Sequence, residues 1–335
     1  MREMLMNSQI VSPLPIHSVT LFFADMWILL GKICTWIVFL LIGTYLLPLI
    51  WLTWFCKPQD LKRKYGATWA LVTGASQGIG RAIASKLSSQ GLNVVLVAID
   101  DDQLETAKRQ LKAEFPRQEF RSVGVDLSVE PHVYMNKIMQ ATEDIVVQVV
   151  FNNAGYLSMG FFRHQDVEKL IGNLECNALS AIRITHHFMK RMIEHGCPGC
   201  ICFTASAVSF LPSPFASMYG ASKALLSHFA ASLAVEARDN HIDIVALHPS
   251  YTRTHLYANT PKLLILNFLD RFAATPEEVA EVLIHSAGRV ILRDTGGYAV
   301  ITKLISRIVD MGVITYFMMI ARKWLPEYRA FSKKA

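Results

Sequence analysis

The hydrophobic and polar positions of the chain follow two different patterns. Near the start, the residues from Ile33 to Cys56 carry no charge and are mostly apolar. Farther along, short runs rich in Val, Ile and Leu alternate with segments whose apolar residues recur every three or four positions. Short apolar runs are typical of buried strands, and the three-to-four spacing is typical of amphipathic helices. The chain therefore begins with one long apolar segment and continues as alternating strands and helices.

The alternating part predicts a sheet covered by helices on both faces. Strands are predicted at residues 67–73, 93–99, 120–126, 145–151, 199–204 and 243–248. Helices are predicted at residues 79–90, 101–115, 167–195 and 217–238. Because continuously apolar strands separated by helices form parallel sheets, we expect an α/β fold with a Rossmann-type doubly wound parallel sheet.

The apolar segment 33–56 is long enough to cross a membrane as a single helix. At 1.5 Å per residue it would extend about 36 Å, which exceeds a hydrocarbon core of about 30 Å. Its tryptophans stand near the expected membrane interfaces. They are Trp36, Trp51 and Trp54. The segment is too long and too far from Met1 to favour a signal peptide. We therefore expect an N-terminal segment 1–32 followed by a transmembrane anchor 33–56.

The charges around this segment indicate which side of the membrane the rest of the chain faces. Several basic residues follow the segment closely, whereas only Lys32 lies close on the other side. They are Lys57, Lys62, Arg63 and Lys64. Because the cytosolic flanks of membrane spans are enriched in Lys and Arg, we expect the C-terminal part in the cytosol. The alternatives are a hairpin or interfacial helix that includes residues 21–31, a buried core helix, and a removable targeting segment of a soluble enzyme.

The composition fits a folded protein that associates with a membrane. Of the 335 residues, 52% are hydrophobic and 18% are charged, which excludes a disordered chain. The mean hydropathy of +0.30 is high for a fully soluble protein. The net charge is +6, but no basic stripe is interleaved with aromatic residues, so we expect no nucleic-acid partner. The six cysteines are widely spread, which is typical of a reducing compartment, and we expect no metal at Cys197 and Cys200.

The remaining segments complete the expected domain organisation. Residues 57–66 are a short polar linker, residues 67–295 the main α/β domain, and residues 296–335 a C-terminal amphipathic tail. Within the tail, the uncharged residues 311–321 are too few to cross a membrane. Because basic residues flank them, they could lie in a membrane interface, and packing on the core is the alternative.

A glycine-rich turn follows the first predicted strand. Residues 73–80 read Thr-Gly-Ala-Ser-Gln-Gly-Ile-Gly. Glycine lets the backbone approach a pyrophosphate closely, and the N-terminus of the next helix supplies N–H groups and the positive end of a dipole. A tight turn without a ligand is the alternative. The predicted cofactor-binding residues of this turn are Gly74, Ser76, Gln77, Gly78, Ile79 and Gly80.

Polar and small residues also follow the third and fourth predicted strands. Asp126 ends the third strand and could bind the adenine edge of a dinucleotide, and a helix cap is the alternative. Asn153, Ala154 and Gly155 follow the fourth strand, where a plain turn is the alternative. Ligands of open α/β sheets bind outside the carboxyl ends of the strands. These residues are therefore predicted to line the same cofactor crevice as the glycine-rich turn.

Ser206, Tyr219 and Lys223 give the strongest indication of chemistry. Tyr219 and Lys223 are four positions apart on a predicted helix, so they share one face. Ser206 follows a predicted strand.

With these residues the sequence resembles the short-chain dehydrogenase/reductase family over about residues 67–290. The matching elements occur in the order of the family. They are residues 73–80, residues 152–155, Asn177, Ser206, Tyr219 and Lys223.

The resemblance implies a role for each of these side chains. Tyr219 would donate a proton during reduction of a carbonyl group or accept one during oxidation of an alcohol. Lys223 would favour the tyrosinate form and hold the nicotinamide ribose. Ser206 would donate a hydrogen bond to the substrate carbonyl. Asn177 would anchor a water molecule that leads protons to Lys223.

The resemblance also implies a nicotinamide dinucleotide cofactor. The residues that stand where the family meets the nicotinamide carboxamide are Pro249, Thr252 and Thr254. Ser250 replaces the glycine that usually follows the proline. An acid at the end of the second strand normally selects NAD, and an arginine accommodates NADP, whereas this chain has Ala98 and Ile99 there. NADP(H) is favoured over NAD(H), because reductases of this membrane-anchored type mostly use it.

The anchor and the tail resemble the branch that holds very-long-chain 3-oxoacyl-CoA reductases and membrane 17β-hydroxysteroid dehydrogenases. This implies a lipid substrate, the endoplasmic reticulum membrane with the catalytic domain facing the cytosol, and a homodimer that pairs through residues 167–195 and 217–238. Residues 256–272 could form a substrate lid, and an ordinary core helix is the alternative. The apolar cluster of this lid comprises Leu263, Leu264, Ile265, Leu266, Phe268 and Leu269.

A non-catalytic membrane-bound scaffold on the same fold is the rival hypothesis. Gln77, Ile99 and Ser250 motivate it, because they depart from common choices in the family. Tyr219 and Lys223 argue against it, because a scaffold does not need them.

Overall fold

The computed structural model describes residues 16–254, 256 and 270–332. They belong to two compact units, Met1–Cys56 and Lys57–Ala335. The apolar cluster of the predicted substrate lid, at residues 263–266, 268 and 269, lies outside the described residues.

The first unit contains one long helix. Helix α1 extends from Ile16 to Trp54 without a break. Its residues Thr20–Trp54 are apolar enough to cross a membrane, with a mean hydropathy of 2.3, and the rest of the chain buries none of that apolar window. These 35 residues extend about 52 Å, which is more than a hydrocarbon core of about 30 Å requires. Helix α1 is therefore a candidate transmembrane helix.

Helix α1 starts well before the predicted anchor at residue 33. Asp25 and Lys32 lie inside the helix. A charged side chain limits how deeply a helix enters a membrane, but lysine is a good helix former and does not end the helix itself. Because α1 is continuous, the structure has no turn for a hairpin around residues 21–31.

The second unit is built on a seven-stranded sheet with the order β3-β2-β1-β4-β5-β6-β7, and every pair of neighbours is parallel. The strands are β1 (Trp69–Thr73), β2 (Asn93–Ala98), β3 (Phe120–Gly124), β4 (Val147–Asn152), β5 (Gly199–Thr204), β6 (Ile242–Pro249) and β7 (Leu292–Thr295). The predicted Rossmann-type parallel sheet is confirmed. Strand β7 was not predicted, because its sequence Leu-Arg-Asp-Thr contains a single large apolar residue.

Helices cover both faces of this sheet. They are α2 (Leu61–Tyr65), α3 (Gly78–Ser89), α4 (Asp102–Glu114), α5 (Pro131–Ala141), α6 (Val167–Leu174), α7 (Ser180–Glu194), α8 (Ser217–Ala237), α9 (Pro276–Ser286), α10 (Gly297–Ile308), α11 (Met311–Ala321) and α12 (Pro326–Ser332). The sequence pattern did not predict α5 or α9. Helix α9 begins at a capping box in which Thr275 and Glu278 each accept a hydrogen bond from the backbone N–H of the other.

Alternate residues of each strand supply the two hydrophobic cores. In β1, Ala70 and Val72 lie in the core shared with α3, α4 and α9, whereas Trp69 and Leu71 lie in the core shared with α5, α7 and α8. Because successive side chains of a strand point to opposite faces, a fully apolar strand can serve two layers at once. All five residues of β1 are buried. The two cores hold rigid the strand ends at which the candidate site lies.

The segment predicted as a linker contains helix α2, which is part of the second unit and packs on its core. Leu61 and Tyr65 are buried in the core beneath α3. The Tyr65 hydroxyl donates a hydrogen bond of 2.8 Å to Asp243 on β6, and Lys64 forms an ion pair of 3.0 Å with the same carboxylate. Burial and the neighbouring Asp243 carboxylate raise the pKa of Tyr65 well above its usual range. The chain is therefore fixed to the sheet from residue 61 onward.

Candidate active site

One cleft opens at the carboxyl ends of the strands, where the order of the strands reverses between β1 and β4. Its volume is about 540 Å³. Every predicted cofactor-binding residue except Gly80 lines it, and so do Ser206, Tyr219 and Lys223. The residues concerned are Gly74, Ser76, Gln77, Gly78, Ile79, Asp126, Asn153, Ala154, Gly155, Ser206, Tyr219, Lys223, Pro249, Thr252 and Thr254. The structure thus brings these distant parts of the sequence into one site.

The glycine-rich turn leaves room for a ligand backbone against the start of α3. Gly74 and Gly78 have φ angles of +65° and +56°, which favour glycine. A side chain on Gly80 would collide with the Gly74 carbonyl and approach the Asn153 amide nitrogen to 2.7 Å. No side chain caps the N-terminus of α3 at Gln77. An uncapped helix N-terminus behind a glycine turn fits the pyrophosphate of a dinucleotide.

Thr73 ties the ends of three strands together behind this turn. Its hydroxyl oxygen accepts hydrogen bonds of 2.9 Å from the backbone N–H groups of Asn153 and Ala154. The Asn153 side chain donates to the Thr73 carbonyl at 3.1 Å and accepts from the Thr204 hydroxyl at 3.0 Å. These hydrogen bonds fix the ends of β1, β4 and β5 relative to one another around the crevice. The contribution of Thr204 was not predicted, because its sequence position reads only as the end of an apolar strand.

Asp126 lines the cleft and does not cap a helix. One of its carboxylate oxygens accepts hydrogen bonds from the backbone N–H and the hydroxyl of Ser128, at 2.8 and 2.6 Å. Helix α5 begins later, with Glu130 as its N-terminal flank. The helix-cap alternative is therefore not what the structure shows, and the carboxylate stays available to a ligand in the cleft.

The end of β5 and the first turns of α8 carry the candidate catalytic side chains. Tyr219 and Lys223 lie one turn apart on α8, with 7% and 4% of their surface exposed. The Lys223 Nζ donates a hydrogen bond of 2.8 Å to the Thr204 carbonyl and lies 5.8 Å from the centre of the Tyr219 ring. Ser206 follows β5, and its side chain lies beside Tyr219 and lowers the pKa of that residue. The structure thus brings the three predicted catalytic residues of the cleft wall together.

Burial shifts the acid–base properties of the pair in opposite directions. It raises the pKa of Tyr219 to about 12, an effect that the Ser206 side chain partly offsets. It lowers the pKa of Lys223 to about 8, because a cation loses hydration in this position. At neutral pH the tyrosine therefore carries its proton, and the lysine is close to losing its own.

Asn177 lies just behind the cleft on an interruption of the predicted long helix. Helices α6 and α7 are separated by one π-helical turn, Glu175–Leu179. The Asn177 amide accepts a hydrogen bond from the Tyr156 N–H at 2.8 Å and donates one to the Tyr156 carbonyl at 2.9 Å. Single π-helical turns frequently mark functional sites.

Gly155 separates Asn177 from Lys223. A methyl group on Gly155 would lie 3.0 Å from the Asn177 oxygen and 3.3 Å from the Lys223 Nζ. Both polar groups therefore face the same small space, and glycine keeps it free. This space has room for a water molecule between the two groups, in line with the role that the family resemblance implies for Asn177.

Ser250 uses its hydroxyl away from a prospective ligand. The hydroxyl oxygen accepts a hydrogen bond of 2.9 Å from the Ala299 N–H, in the first turn of α10. A side chain on Gly296 would collide with this hydroxyl. The serine that replaces the usual glycine therefore anchors α10 to the rim of the cleft, and this removes one motive for a non-catalytic scaffold.

A buried network of polar side chains beneath α8 was also missed by sequence reasoning. His248 on β6 contacts the Asp294 carboxylate at 2.9 Å through Nδ1 and the Ser227 hydroxyl at 2.8 Å through Nε2. The same hydroxyl donates to the Lys223 carbonyl at 2.9 Å. Strands β6 and β7 are thereby linked to the turn of α8 that carries Lys223. No local pattern signals this chain, because its members are distant in sequence.

The protein-family comparison identifies a match to the short chain dehydrogenase model over residues 68–263. A human relative, "Inactive hydroxysteroid dehydrogenase-like protein 1", is 30% identical over 71% of this chain and 70% of its own length. A very-long-chain 3-oxoacyl-CoA reductase-like protein of Arabidopsis thaliana is 28% identical over 74% of this chain and 79% of its own. The very-long-chain 3-oxoacyl-CoA reductase of Pyricularia oryzae is 28% identical over 65% and 69%.

Solved structures share the fold of the second unit. A 7β-hydroxysteroid dehydrogenase superposes with a TM-score of 0.69 over 77% of this chain and 99% of its own, at 23% identity. The L-sorbose reductase of Gluconobacter frateurii, solved with NADPH and L-sorbose, superposes with a TM-score of 0.62 over 72% and 99%, at 25% identity.

Proposed function

Since this chain belongs to the short-chain dehydrogenase/reductase family of oxidoreductases, we propose that it is a membrane-anchored enzyme that reduces a carbonyl group, or oxidises the corresponding alcohol, on a lipid. The observation that carries this proposal is the buried Tyr219 and Lys223 pair, which meets Ser206 beside the glycine-rich turn in one cleft. The uncapped start of α3 and the small residues 153–155 fit a nicotinamide dinucleotide. When bound, this cofactor supplies or accepts the hydride.

The side chains of the cleft would divide the remaining work of the reaction. Ser206 would hold the substrate carbonyl oxygen by a hydrogen bond, at the edge of the cleft where Tyr219 also reaches. Tyr219 would pass its hydroxyl proton to that oxygen as negative charge develops there. The positive charge of Lys223 would favour this release, because it stabilises the tyrosinate left behind. Asn177 would bind the water that restores the proton from solvent.

The acid–base state of the pair favours the reductive direction at neutral pH. Burial raises the pKa of Tyr219 to about 12, so the proton that reduction consumes is present. The oxidative direction needs tyrosinate, which forms more readily as the pH rises. Above about pH 8 the lysine loses its charge, because burial lowers its pKa to about 8. We therefore propose that Tyr219 holds the proton that carbonyl reduction needs at physiological pH, while the ratio of reduced to oxidised cofactor sets the direction of the reaction.

Several finer features of the proposal follow from the anchor and the relatives. A long-chain 3-oxoacyl-CoA is the first proposed substrate and a steroid the second, in line with the names of the relatives. We propose the endoplasmic reticulum membrane as the location, with the catalytic unit in the cytosol, because basic residues follow α1. We further propose a homodimer, as the family resemblance implies, and the division into anchor, catalytic domain and C-terminal tail.

NADP(H) is the first proposed cofactor, supported by an L-sorbose reductase solved with NADPH. One observation favours NAD(H) as a second candidate. Asp101 lines the adenosine end of the cleft and caps α4 through hydrogen bonds to the N–H groups of Gln103 and Leu104. Among the described residues that line the cleft, Lys223 alone is cationic, and it lies at the nicotinamide end. An adenosine 2′-phosphate would therefore meet a carboxylate and no fixed cation.

Fluorescence titration of the detergent-solubilised chain with NADPH and NADH distinguishes the two cofactors. Whichever of the two binds the wild-type chain more tightly is identified as its cofactor. Ile99→Arg is expected to tighten NADPH binding about tenfold and leave NADH binding unchanged, because arginine can form charge-assisted hydrogen bonds to a phosphate. Met139→Arg, which adds the same charge at an exposed position of α5, serves as the control. Equal binding of NADPH by the wild type and Ile99→Arg would place Ile99 away from the adenosine ribose.

A turnover assay with substrates of graded length tests the proposed activity. We expect oxidation of the reduced cofactor by a long-chain 3-oxoacyl-CoA, with kcat/KM at least a hundredfold above that of a four-carbon 3-oxoacyl-CoA. Each buried CH₂ group contributes about 0.8 kcal/mol to binding, so a few of them suffice for this factor. Faster turnover of a steroid ketone would favour the second substrate. Tight cofactor binding without turnover of any of the three would favour the scaffold hypothesis.

A further inference from the structure

The C-terminal helices carry a continuous set of exposed apolar side chains. On α10, Ile301, Ile305 and Ile308 recur at helical spacing and are 39–59% exposed. No residue of α11 is buried. Tyr316 and Phe317 on this helix are 62% and 65% exposed. Apolar patches of this kind on an otherwise well-packed unit mark a surface that binds a protein or a membrane.

The geometry of these helices excludes a straight membrane span. Helix α11 has only eleven residues, and the pair formed by Gly297–Ile308 and Met311–Trp324 bends by 111°. A span needs about 20 residues in one direction. Two short apolar helices at such an angle fit the plane of a membrane interface instead, where an apolar face enters the boundary between headgroups and acyl chains by about 5–10 Å.

Charge distinguishes a lipid surface from a second copy of the chain. Exposed basic residues accompany the apolar side chains, namely Arg307, Arg322, Lys323 and Arg329. Of the acidic residues nearby, Asp310 caps α11 through the Gly312 N–H at 2.8 Å. In a symmetric pair of copies the same positively charged surface of both chains would meet, and this repulsion disfavours the contact. Anionic phosphates complement them, and Trp324, which is 74% exposed, is of the type enriched at membrane interfaces.

We infer that α10 and α11 form a second membrane contact, in which their apolar side chains enter an anionic bilayer and the basic residues bind its phosphates. This inference rests on the membrane location in the proposed function, and it does not depend on turnover. Only six residues separate the end of α1 from the start of α2. A chain held by α1 therefore keeps the second unit close to a bilayer, where this contact forms at little cost.

The contact would place the bilayer beside the cleft. Helix α10 starts at the rim, where the Ala299 N–H donates to the Ser250 hydroxyl at 2.9 Å, and Ser250 lines the cleft. After α11 in the chain, the Tyr328 ring of α12 packs against the Phe161 ring, with 5.7 Å between the ring centres. A lipid substrate could then pass from the bilayer to the cleft without crossing bulk water.

Site-specific photo-crosslinking to lipid tests the contact in the full-length chain. The chain is reconstituted in vesicles of phosphatidylcholine with about 30% phosphatidylserine, both carrying an alkyne tag, and Phe317 is replaced by p-benzoylphenylalanine. Met139, an apolar residue that is 38% exposed on α5, is replaced in the matched control. We expect at least fivefold more lipid attached at position 317 than at position 139. We also expect Arg322→Gln with Lys323→Gln, or high salt, to halve the yield at position 317, because the basic residues act electrostatically.

Two results would overturn this inference. One is a yield at position 317 no higher than at position 139, and the other is crosslinking to a second copy of the chain in place of lipid. Cofactor titration of each variant shows whether the cleft is still folded. The same measurement on the Tyr219→Phe background separates this inference from the proposed function, because loss of turnover leaves the lipid yield unchanged if the surface acts independently.

Discussion

Replacing Tyr219 by phenylalanine is expected to lower kcat for carbonyl reduction at least a thousandfold, while the Kd of the reduced cofactor changes less than threefold. The phenyl ring keeps the packing of a side chain that is only 7% exposed and removes the hydroxyl alone. A positioned proton donor contributes about 10²–10⁴ in rate. Stopped-flow and steady-state assays with the detergent-solubilised chain measure kcat, and fluorescence titration measures Kd.

The control for this variant is Tyr328→Phe on α12. Tyr328 is also packed against aromatic rings, namely Phe161 and Phe215, and it does not line the cleft. It should keep wild-type kcat within about twofold. Retention of wild-type turnover by Tyr219→Phe would assign proton transfer to another group. A loss of both kcat and cofactor binding would instead indicate that the hydroxyl holds the cleft together.

The candidate site could be predicted from the sequence because parallel strands all end at one edge. Once β1, β4, β5 and β6 are recognised as neighbours, residues that follow them in sequence must meet in space. Gly74, Asn153 and Ser206 are separated by more than fifty positions each, and they line one cleft. Helical periodicity then places Tyr219 and Lys223 on the same wall. The parallel fold therefore brings short motifs from distant parts of the sequence into one site.

The features that were not predicted depend on contacts between distant residues. The π-helical turn at Asn177 is held by two bonds to the Tyr156 backbone, and no local pattern encodes them. Helix α2 was taken for a linker because Lys62, Arg63 and Lys64 dominate its sequence, although Leu61 and Tyr65 are buried. Strand β7 was not predicted either, because it is short and its sequence is mostly polar. Propensity and periodicity describe a segment alone, whereas burial depends on what packs against it.

The low pKa of Lys223 means that its charged form destabilises the folded state. The pKa is about 8 in the folded chain and 10.5 in the unfolded chain, so the unfolded state binds more protons between these values. Stability therefore rises with pH through this window, and the cost is fully present below about pH 8. The difference between these two pKa values corresponds to about 3 kcal/mol. Replacing Lys223 would also remove its hydrogen bond to the Thr204 carbonyl, which costs about 1 kcal/mol.

Lys223→Met is accordingly expected to lower kcat at least a hundredfold and, at pH 7, to raise the thermal midpoint of the solubilised chain by about 5 °C. Methionine fills a similar volume and needs no hydration, so about 2 kcal/mol of stability is gained, at about 2–4 °C per kcal/mol. Scanning fluorimetry at pH 7 and pH 10 measures the midpoint, and the difference from the wild type should largely vanish at pH 10. Lys86→Met, which breaks an exposed ion pair with Glu281, should leave kcat unchanged and show no such pH dependence. The opposite result is a thermal midpoint of Lys223→Met at or below that of the wild type at pH 7. It would mean that the fold stabilises the charged lysine, so that its charge does not lower the stability of the protein.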